Sequence, residues 1–189
     1  MQRRILIIIG HPAKTSFNRA LATRYAEAAS AAGADVRVLH LGEIDFDPIL
    51  RQGYDQPLEP DLREAQKLIE WCEHLVVVTP LWWGTVPAIL KGFFDRAFLP
   101  KWAFTYKGKM PVKLLGGRTA QAIGTMDSPS WWYRVVQRKS LERTLGTGTL
   151  RFVGFKTKFK LFASVRDSDE ARRNRWLGEV AALGTRQAG

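Results

Sequence analysis

Two unbroken apolar runs constrain the fold of this chain most strongly. Arg4–Ile9 (RILIII) and Leu75–Thr79 (LVVVT) consist largely of aliphatic and β-branched residues, with no alternation of polar side chains. Strands of this kind are covered on both faces, as in parallel sheets flanked by helices. Between them, 16–32 carries a helical apolar stripe, and Gly33 ends that helix before a second strand at 35–41. The pattern predicts repeated β–α units.

The second half of the chain continues the same alternation. We expect a helix at 87–98, strands at 118–124 and around 150–162, and a final helix at 168–183. Five alternations predict one α/β domain spanning 1–189. Its core is a flavodoxin-like, doubly wound five-stranded parallel sheet in the order 2-1-3-4-5, with helices on both faces.

Local signals predict two helix starts and two functional connections. Asp61 and Glu64 form an expected capping pair, and Ser128 is expected to cap a helix that begins at the next residue, a proline. The segments 42–60 and 99–117 are long and contain Pro and Gly, so we expect loops with a role in function.

The chain carries a formal net charge of +11, and residues 134–175 supply an excess of eight cations. This charge either steers anions to the surface or belongs to a solvated face. Lys156, Lys158 and Lys160 alternate with less polar residues, as expected for an edge strand protected against unwanted pairing. No helix-turn-helix spacing or aromatic RNA signature accompanies the charge, so we expect no nucleic-acid partner.

Other sequence features bear on the cellular compartment, on membrane insertion, and on disulfide and metal chemistry. Cys72 is the single cysteine, which excludes an intrachain disulfide and favours a reducing cytoplasm. Without a signal peptide or a long apolar run, we expect no membrane insertion. His40 and His74 have no partner at metal-ligand spacing, so no metal site is expected. Cys72 also lies on an apolar helical stripe, where we expect it to be buried and inert.

Three loops follow the carboxyl ends of the predicted strands, where open α/β sheets bind ligands. In 10–17, the donors of Thr15, Ser16 and the adjoining Asn18 stand at a helix N-terminus, an anion site suited to a flavin phosphate. His11 adds a donor. In the alternative interpretation, Ser16 is an ordinary N-cap and His11 a satisfied turn residue.

The other two loops offer ring-binding groups. In 80–87, Trp82 and Trp83 can pack beside a planar tricyclic ring, although such pairs more often fill a core or an interface. In 125–129, Thr125 and the backbone amides can approach the same ring, or Asp127 and its neighbour can simply cap the next helix.

The motifs HPAKTSFN, PLWWGTVPAILKGFFDRAF and GTMDSPSWWYR occur in consistent order, and the match spans roughly residues 3–165. They resemble the NAD(P)H:quinone oxidoreductase family, which includes flavodoxin-2-like NAD(P)H dehydrogenases and FMN-dependent azoreductases. The resemblance implies a homodimer that binds FMN, or FAD, and uses NAD(P)H as co-substrate.

Motif position also implies roles for individual residues. Tyr133 is the counterpart of a catalytic tyrosine, but no histidine matches the family's second proton-handling residue. The segment 124–127 (GTMD) departs from the Thr-Thr-Gly-Gly of mammalian-type members. The implied flavin contacts are His11, Ser16, Phe17 and Asn18 at the phosphate, Pro80, Leu81, Trp82 and Trp83 at one side of the ring, and Thr125 and Asp127 at another.

These observations predict an enzyme that passes two electrons from NAD(P)H to a quinone-like acceptor by a ping-pong mechanism. One alternative on the same fold is the ancillary regulatory subunit of a potassium-efflux system. A flavodoxin-type electron carrier is a second alternative, although such carriers are usually acidic and this chain is basic. A nucleic-acid-binding protein is the weakest alternative.

Overall fold

The computed structural model describes residues 2–189, and a five-stranded parallel sheet forms its centre. The sheet order is β2-β1-β3-β6-β7, which confirms the predicted 2-1-3-4-5 arrangement. Numbered in chain order, the strands are β1 (Arg4–Ile9), β2 (Asp35–His40), β3 (His74–Pro80), β4 (Phe104–Lys107), β5 (Met110–Lys113), β6 (Thr119–Thr125) and β7 (Lys156–Phe162).

Helices cover both faces of this sheet. One face packs against the helices at 17–31 and 170–188, and the other packs against the helices at 60–71, 88–97 and 142–153. The two unbroken apolar runs become β1 and β3, which lie side by side and are buried almost throughout. The helices are α1 (Phe17–Ala31), α2 (Pro60–Trp71), α3 (Ala88–Ala97), α4 (Ser130–Val135), α5, a π-helical stretch (Glu142–Leu150) continued by an α-turn (Arg151–Val153), and α6 (Glu170–Ala188).

Helix α1 begins and ends where the sequence predicts. The Ser16 hydroxyl oxygen accepts a 3.1 Å hydrogen bond from the Arg19 amide, and Gly33, at φ +94°, follows the helix. Helix α6 packs closely along α1. A Cβ on Gly184 would lie 2.5 Å from the Tyr25 carbonyl oxygen, so only glycine permits this approach.

Three local expectations are wrong. The strand expected from residue 150 begins only at Lys156, because 150–153 continues a helix whose apolar side chains face the core. Helix α2 starts at Pro60 with Glu59 as N-cap, and Asp61 instead accepts the Asp45 amide, so Asp61 and Glu64 form no capping pair. Helix α4 has Pro129 rather than Ser128 as its N-cap, without a side-chain bond.

The two long connections are partly structured. Residues 99–117 contain the antiparallel hairpin β4–β5, and all four residues of its second strand are exposed. Residues 42–60 are tied to α3 by Arg96, which is completely buried and pairs with both carboxylate oxygens of Glu59 at 3.0 and 2.7 Å. The Arg96 guanidinium also donates to the carbonyls of Asp47 and Pro57, each at 2.7 Å. This connection is therefore held against the body of the protein.

Strand β7 lies at the edge of the sheet, as the alternating lysines predict. Among residues 2–189, the structure has no helix long and apolar enough to cross a membrane. Cys72 is buried, as expected, and burial raises the pKa of its thiol to about 12.

Candidate functional site

The loops after β1, β3 and β6 meet at the carboxyl edge of the sheet. The Thr125 hydroxyl donates a buried 3.1 Å hydrogen bond to Oδ1 of Asn18, which joins the third loop to the start of α1. The Leu81 amide donates to the Thr125 carbonyl at 2.7 Å, which joins the second loop to the third. The rings of His11 and Trp82 meet edge to face with centroids 5.4 Å apart. These contacts bring together loops that are separated by up to 107 residues in the chain.

The first loop presents unused hydrogen-bond donors at the N-terminus of α1. In the part of the chain that the structure describes, no hydrogen bond is donated by the backbone N–H groups of Ser16, Phe17 or Asn18. The bond from Thr125 occupies the amide oxygen of Asn18 and so orients its NH₂ group as a further donor. Together with the positive end of the helix dipole, these groups form a site suited to a phosphate.

Ser16 and His11 also have the local structural roles expected in the alternative interpretation. Ser16 caps α1, and His11 accepts the Ala13 amide through Nδ1 at 3.0 Å. These bonds give the loop a defined shape without using its other backbone N–H groups. The backbone at Gly42 packs closely against this loop. A Cβ on residue 42 would lie 2.0 Å from the Pro12 carbonyl oxygen, so only glycine permits this contact.

The second loop is a tight turn that projects its tryptophans. Trp82 and Thr85 exchange two backbone hydrogen bonds, at 2.9 and 3.0 Å, while Trp83 and Gly84 adopt positive φ of 53° and 75°. A left-handed conformation is unusual for a bulky residue and requires the surrounding turn to hold it. The Trp83 side chain is fully exposed and Trp82 is 43% exposed, so both offer apolar surface to a ligand or a partner.

Pro80 and Leu81 are buried at the end of β3, where they support the turn. Two other residues of the implied flavin site have clear local roles. The Phe17 ring packs on Trp176 of α6, with centroids 6.1 Å apart. The Asp127 carboxylate accepts the Arg166 amide at 3.0 Å and so joins the third loop to the segment after β7.

Tyr133 lies apart from the contacts among the three loops. Its hydroxyl donates to the Glu142 carboxylate, and its side chain is 2% exposed. Burial raises the pKa of Glu142 above its usual range. Both residues line a cavity of about 360 Å³ between α4, α5 and β7, together with Met126, which directly follows β6. Tyr133 therefore lines the same cavity as Met126 of the third loop.

Two arginine side chains whose positions could not be predicted from the sequence lie near the first loop. The Arg173 guanidinium lies 5.7 Å from the centre of the Phe17 ring, and that of Arg172 lies 4.9 Å from the Trp176 ring. Both arginines belong to the first turn of α6. Arg173 reaches the start of α1 because the two helices pack together, whereas Arg172 stacks on Trp176 of its own helix. The basic excess in 134–175 signalled their charge but not their position. No group of three or more metal-ligating side chains clusters within residues 2–189.

The parallel sheet order, with three loops that meet at its carboxyl edge, defines a flavodoxin-like α/β protein. The model for the flavodoxin-2 family, described as having a flavodoxin-like fold, matches residues 3–182. The chain belongs to this family. Its relatives include proteins named NAD(P)H oxidoreductase and NAD(P)H dehydrogenase [quinone].

Individual relatives agree with this assignment. An uncharacterized NAD(P)H oxidoreductase of Haemophilus influenzae is 31% identical over 95% of this chain and 93% of its own length. The rat NAD(P)H dehydrogenase [quinone] 1 is 30% identical over 81% of this chain and 65% of the rat protein. The crystal structure of Smu.1420 from Streptococcus mutans has a TM-score of 0.87 and 29% identity, covering 96% of this chain and 98% of that one.

Proposed function

We propose that this protein binds a flavin at the carboxyl edge of its sheet and passes two electrons from NAD(P)H to a quinone-like acceptor. The observation that carries the proposal is the joining of three loops by the Asn18–Thr125, Leu81–Thr125 and His11–Trp82 contacts, beside unused donors at the α1 N-terminus. A phosphate site and exposed aromatic surface on one crevice match the two ends of a flavin.

The residues fit such a group by their chemistry. The N–H groups of Ser16, Phe17 and Asn18 would hold the phosphate, with His11 beside them, and FMN is the simpler fit because it carries a single phosphate. Pro80, Leu81, Trp82 and Trp83 would border the ring on one side, with Thr125 and Asp127 on another. A bound flavin would accept a hydride from NAD(P)H and deliver it to the acceptor.

Assembly follows from the exposed aromatic surface. Trp82, Trp83, Trp131 and Trp132 are all at least 42% exposed, and Val135 is 69% exposed. Such a concentration of apolar surface is typical of an interface. We propose that a second copy of the chain covers it, forming a homodimer with the flavin near the subunit boundary. The sedimentation mass at micromolar concentration tests this, and a value of 21.4 kDa would contradict it.

Substrates would take turns at this crevice. The loops and the partner surface would close every side but one, so NAD(P)H would leave before the acceptor enters. We therefore propose ping-pong kinetics, with parallel double-reciprocal lines as the second substrate is varied. Intersecting lines would show two separate pockets and would refute this part of the proposal.

We propose a catalytic role for Tyr133 through its bond to Glu142. The Tyr133 hydroxyl donates to the Glu142 carboxylate, whose pKa is raised by burial, in a cavity that Met126 of the third loop also lines. A Tyr133→Phe variant should slow hydride transfer about 10-fold to 100-fold if the hydroxyl acts as a general acid. The matched control is Tyr54→Phe, which alters an exposed tyrosine that does not line this cavity.

The decisive experiment is the absorption spectrum of the purified protein, followed by mass identification of any released flavin. Flavin bands and NAD(P)H oxidation that depends on a quinone are expected. A colourless protein that does not regain flavin from FMN or FAD would refute the central proposal.

The alternatives find less support. The charge of +11 argues against a flavodoxin-type electron carrier, and nothing in the described residues favours a transporter subunit. Co-purification with a membrane transporter would favour the subunit. The single cysteine keeps the cytoplasm as the proposed compartment.

A further inference from the structure

A second cluster of polar groups lies at the opposite, amino-terminal edge of the sheet. A cavity of about 330 Å³ there is lined by the first residues of β3, β6 and β7 and by the residue before β1. This volume is at the lower end of the range for small-ligand pockets. Strand β3 spans seven residues, so the cavity is about 20 Å from the carboxyl-edge crevice. Its lining includes Arg3, His74, Thr119, Lys156, Lys158 and Gln187.

Strand register places the key side chains on one face. His74 pairs with Thr119, and Thr119 pairs with Lys156, so all three point the same way in adjacent parallel strands. Lys158 follows two positions later and shares that face. Edge protection accounts for lysines on β7, but it does not account for Arg3, which precedes β1 near the middle of the sheet.

The cavity is positively charged and lacks a protein counter-ion. Arg3, Lys156 and Lys158 take part in no ion pair within residues 2–189, and no carboxylate side chain lines the cavity. The nearby last turn of α6 carries the partial negative charge of a helix end, but Arg186 lies in the same turn. Arg3, Lys156 and Lys158 therefore have no direct ion-pair partner among the described residues.

A buried polar atom without a partner lies at the same place. His74 is 2% exposed, and its Nε2 has no hydrogen-bond partner among the described residues. Its Nδ1 lies 2.7 Å from the Thr119 hydroxyl oxygen, which also accepts from Arg3 at 3.3 Å. If the Thr119 hydroxyl donates to Nδ1, both atoms are satisfied and the ring proton remains on Nε2 as an unused donor.

We propose that this cavity binds a small anion of the phosphate type, separate from the flavin site. Arg3, Lys156 and Lys158 would supply the charge, and Nε2 of His74 would supply a buried donor at the base. A phosphate-type anion has several acceptor oxygens and multiple charge, which matches three cations and a neutral donor. Nothing in the proposed electron transfer requires this site.

Inorganic pyrophosphate, titrated at constant ionic strength against chloride, tests the proposal. The protein has three histidines, so ring signals of His74 and His11 can be followed separately by NMR. We expect saturable movement of the His74 signals. Movement of the His11 signals alone would place the anion at the crevice and overturn the proposal, as would no movement at all.

Variants sharpen the test. Lys156→Gln with Lys158→Gln should weaken pyrophosphate binding at His74 at least about tenfold, since charge-assisted hydrogen bonds are lost. The matched control is Lys107→Gln with Lys109→Gln, two exposed lysines around the hairpin turn, which should leave the affinity unchanged. Equal affinity in both double variants would refute the assignment of these lysines.

Discussion

The Asn18–Thr125 hydrogen bond should couple the first and third loops energetically. Both side chains are at most 4% exposed, so removing one partner leaves the other buried without its bond. Such a loss costs about 1–3 kcal/mol. We therefore expect Thr125→Val, which keeps the side-chain shape, and Asn18→Ala each to reduce the free energy of unfolding by about that amount. For a chain of this size, this corresponds to a fall of roughly 2–12 °C in melting temperature.

A double-mutant cycle measures the coupling itself. Thermal unfolding of the flavin-free protein should show the double variant less destabilised than the sum of the single variants, by about 1 kcal/mol. Thr23→Val is the matched control, because Thr23 is exposed on α1 and should give no coupling with Asn18→Ala. Additive effects of Asn18→Ala and Thr125→Val, within about 0.5 kcal/mol, would refute the argument.

The same variants separate stability from binding. Asn18→Ala also removes a donor from the proposed phosphate site, whereas Thr125→Val leaves that donor in place and replaces only a hydroxyl group beside the proposed ring. Flavin fluorescence titrations should therefore show a greater loss of affinity for Asn18→Ala, about tenfold or more. Equal affinities in the two variants would mean that the Asn18 amide does not contact the phosphate.

Three further predictions follow from buried groups. Glu59→Gln should lower the free energy of unfolding, measured in urea, by about 2–4 kcal/mol, because it leaves the buried Arg96 charge unpaired. As the control, Arg51→Gln removes an exposed ion pair and should have little effect. Similar losses of stability in the two variants would refute this prediction. Burial lowers the pKa of His74 from 6.5 to about 4, so the contribution of His74 to stability is complete above pH 6.5 and is lost as the pH falls to 4. Over this pH range, the free energy of unfolding should therefore fall by about 3 kcal/mol less in a His74→Gln variant than in the unmodified protein. Parallel pH profiles of the two proteins would contradict this. Cys72 should react with a thiol reagent only at the rate of unfolding, and rapid reaction in the native protein would contradict its burial.

Local patterns predicted the sheet well, because burial on both faces demands continuous apolar runs. The runs at Arg4–Ile9 and Leu75–Thr79 therefore identified β1 and β3 directly, and the alternating lysines identified β7 as an edge. The same reasoning failed at 150–153. There, short apolar stretches are equally compatible with a buried helix, which continues the preceding π-helical turns.

The site was predicted only in its components. Helix-start and strand-end signals indicated Ser16, Trp82 and Thr125 as candidates for the site, but no local signal joins residues 107 positions apart, as Asn18 and Thr125 are. The same limit applies to Arg173, whose approach to the first loop depends on the packing of α6 against α1. Sequence patterns identify chemical groups, and tertiary packing decides which of them meet.

The pairing of α1 with α6 also has a consequence for synthesis on the ribosome. Helix α6 is made last, yet it packs over the same face of the sheet as α1, where Ile5, Ile7 and Val76 are buried. About 140 residues separate the end of α1 from the start of α6. At an elongation rate of roughly 5–20 residues per second, α6 emerges on the order of 10–30 s after α1. Nascent chains would expose part of this apolar face throughout that interval and depend on chaperones to stay soluble. A truncated product that lacks α6 should accordingly aggregate.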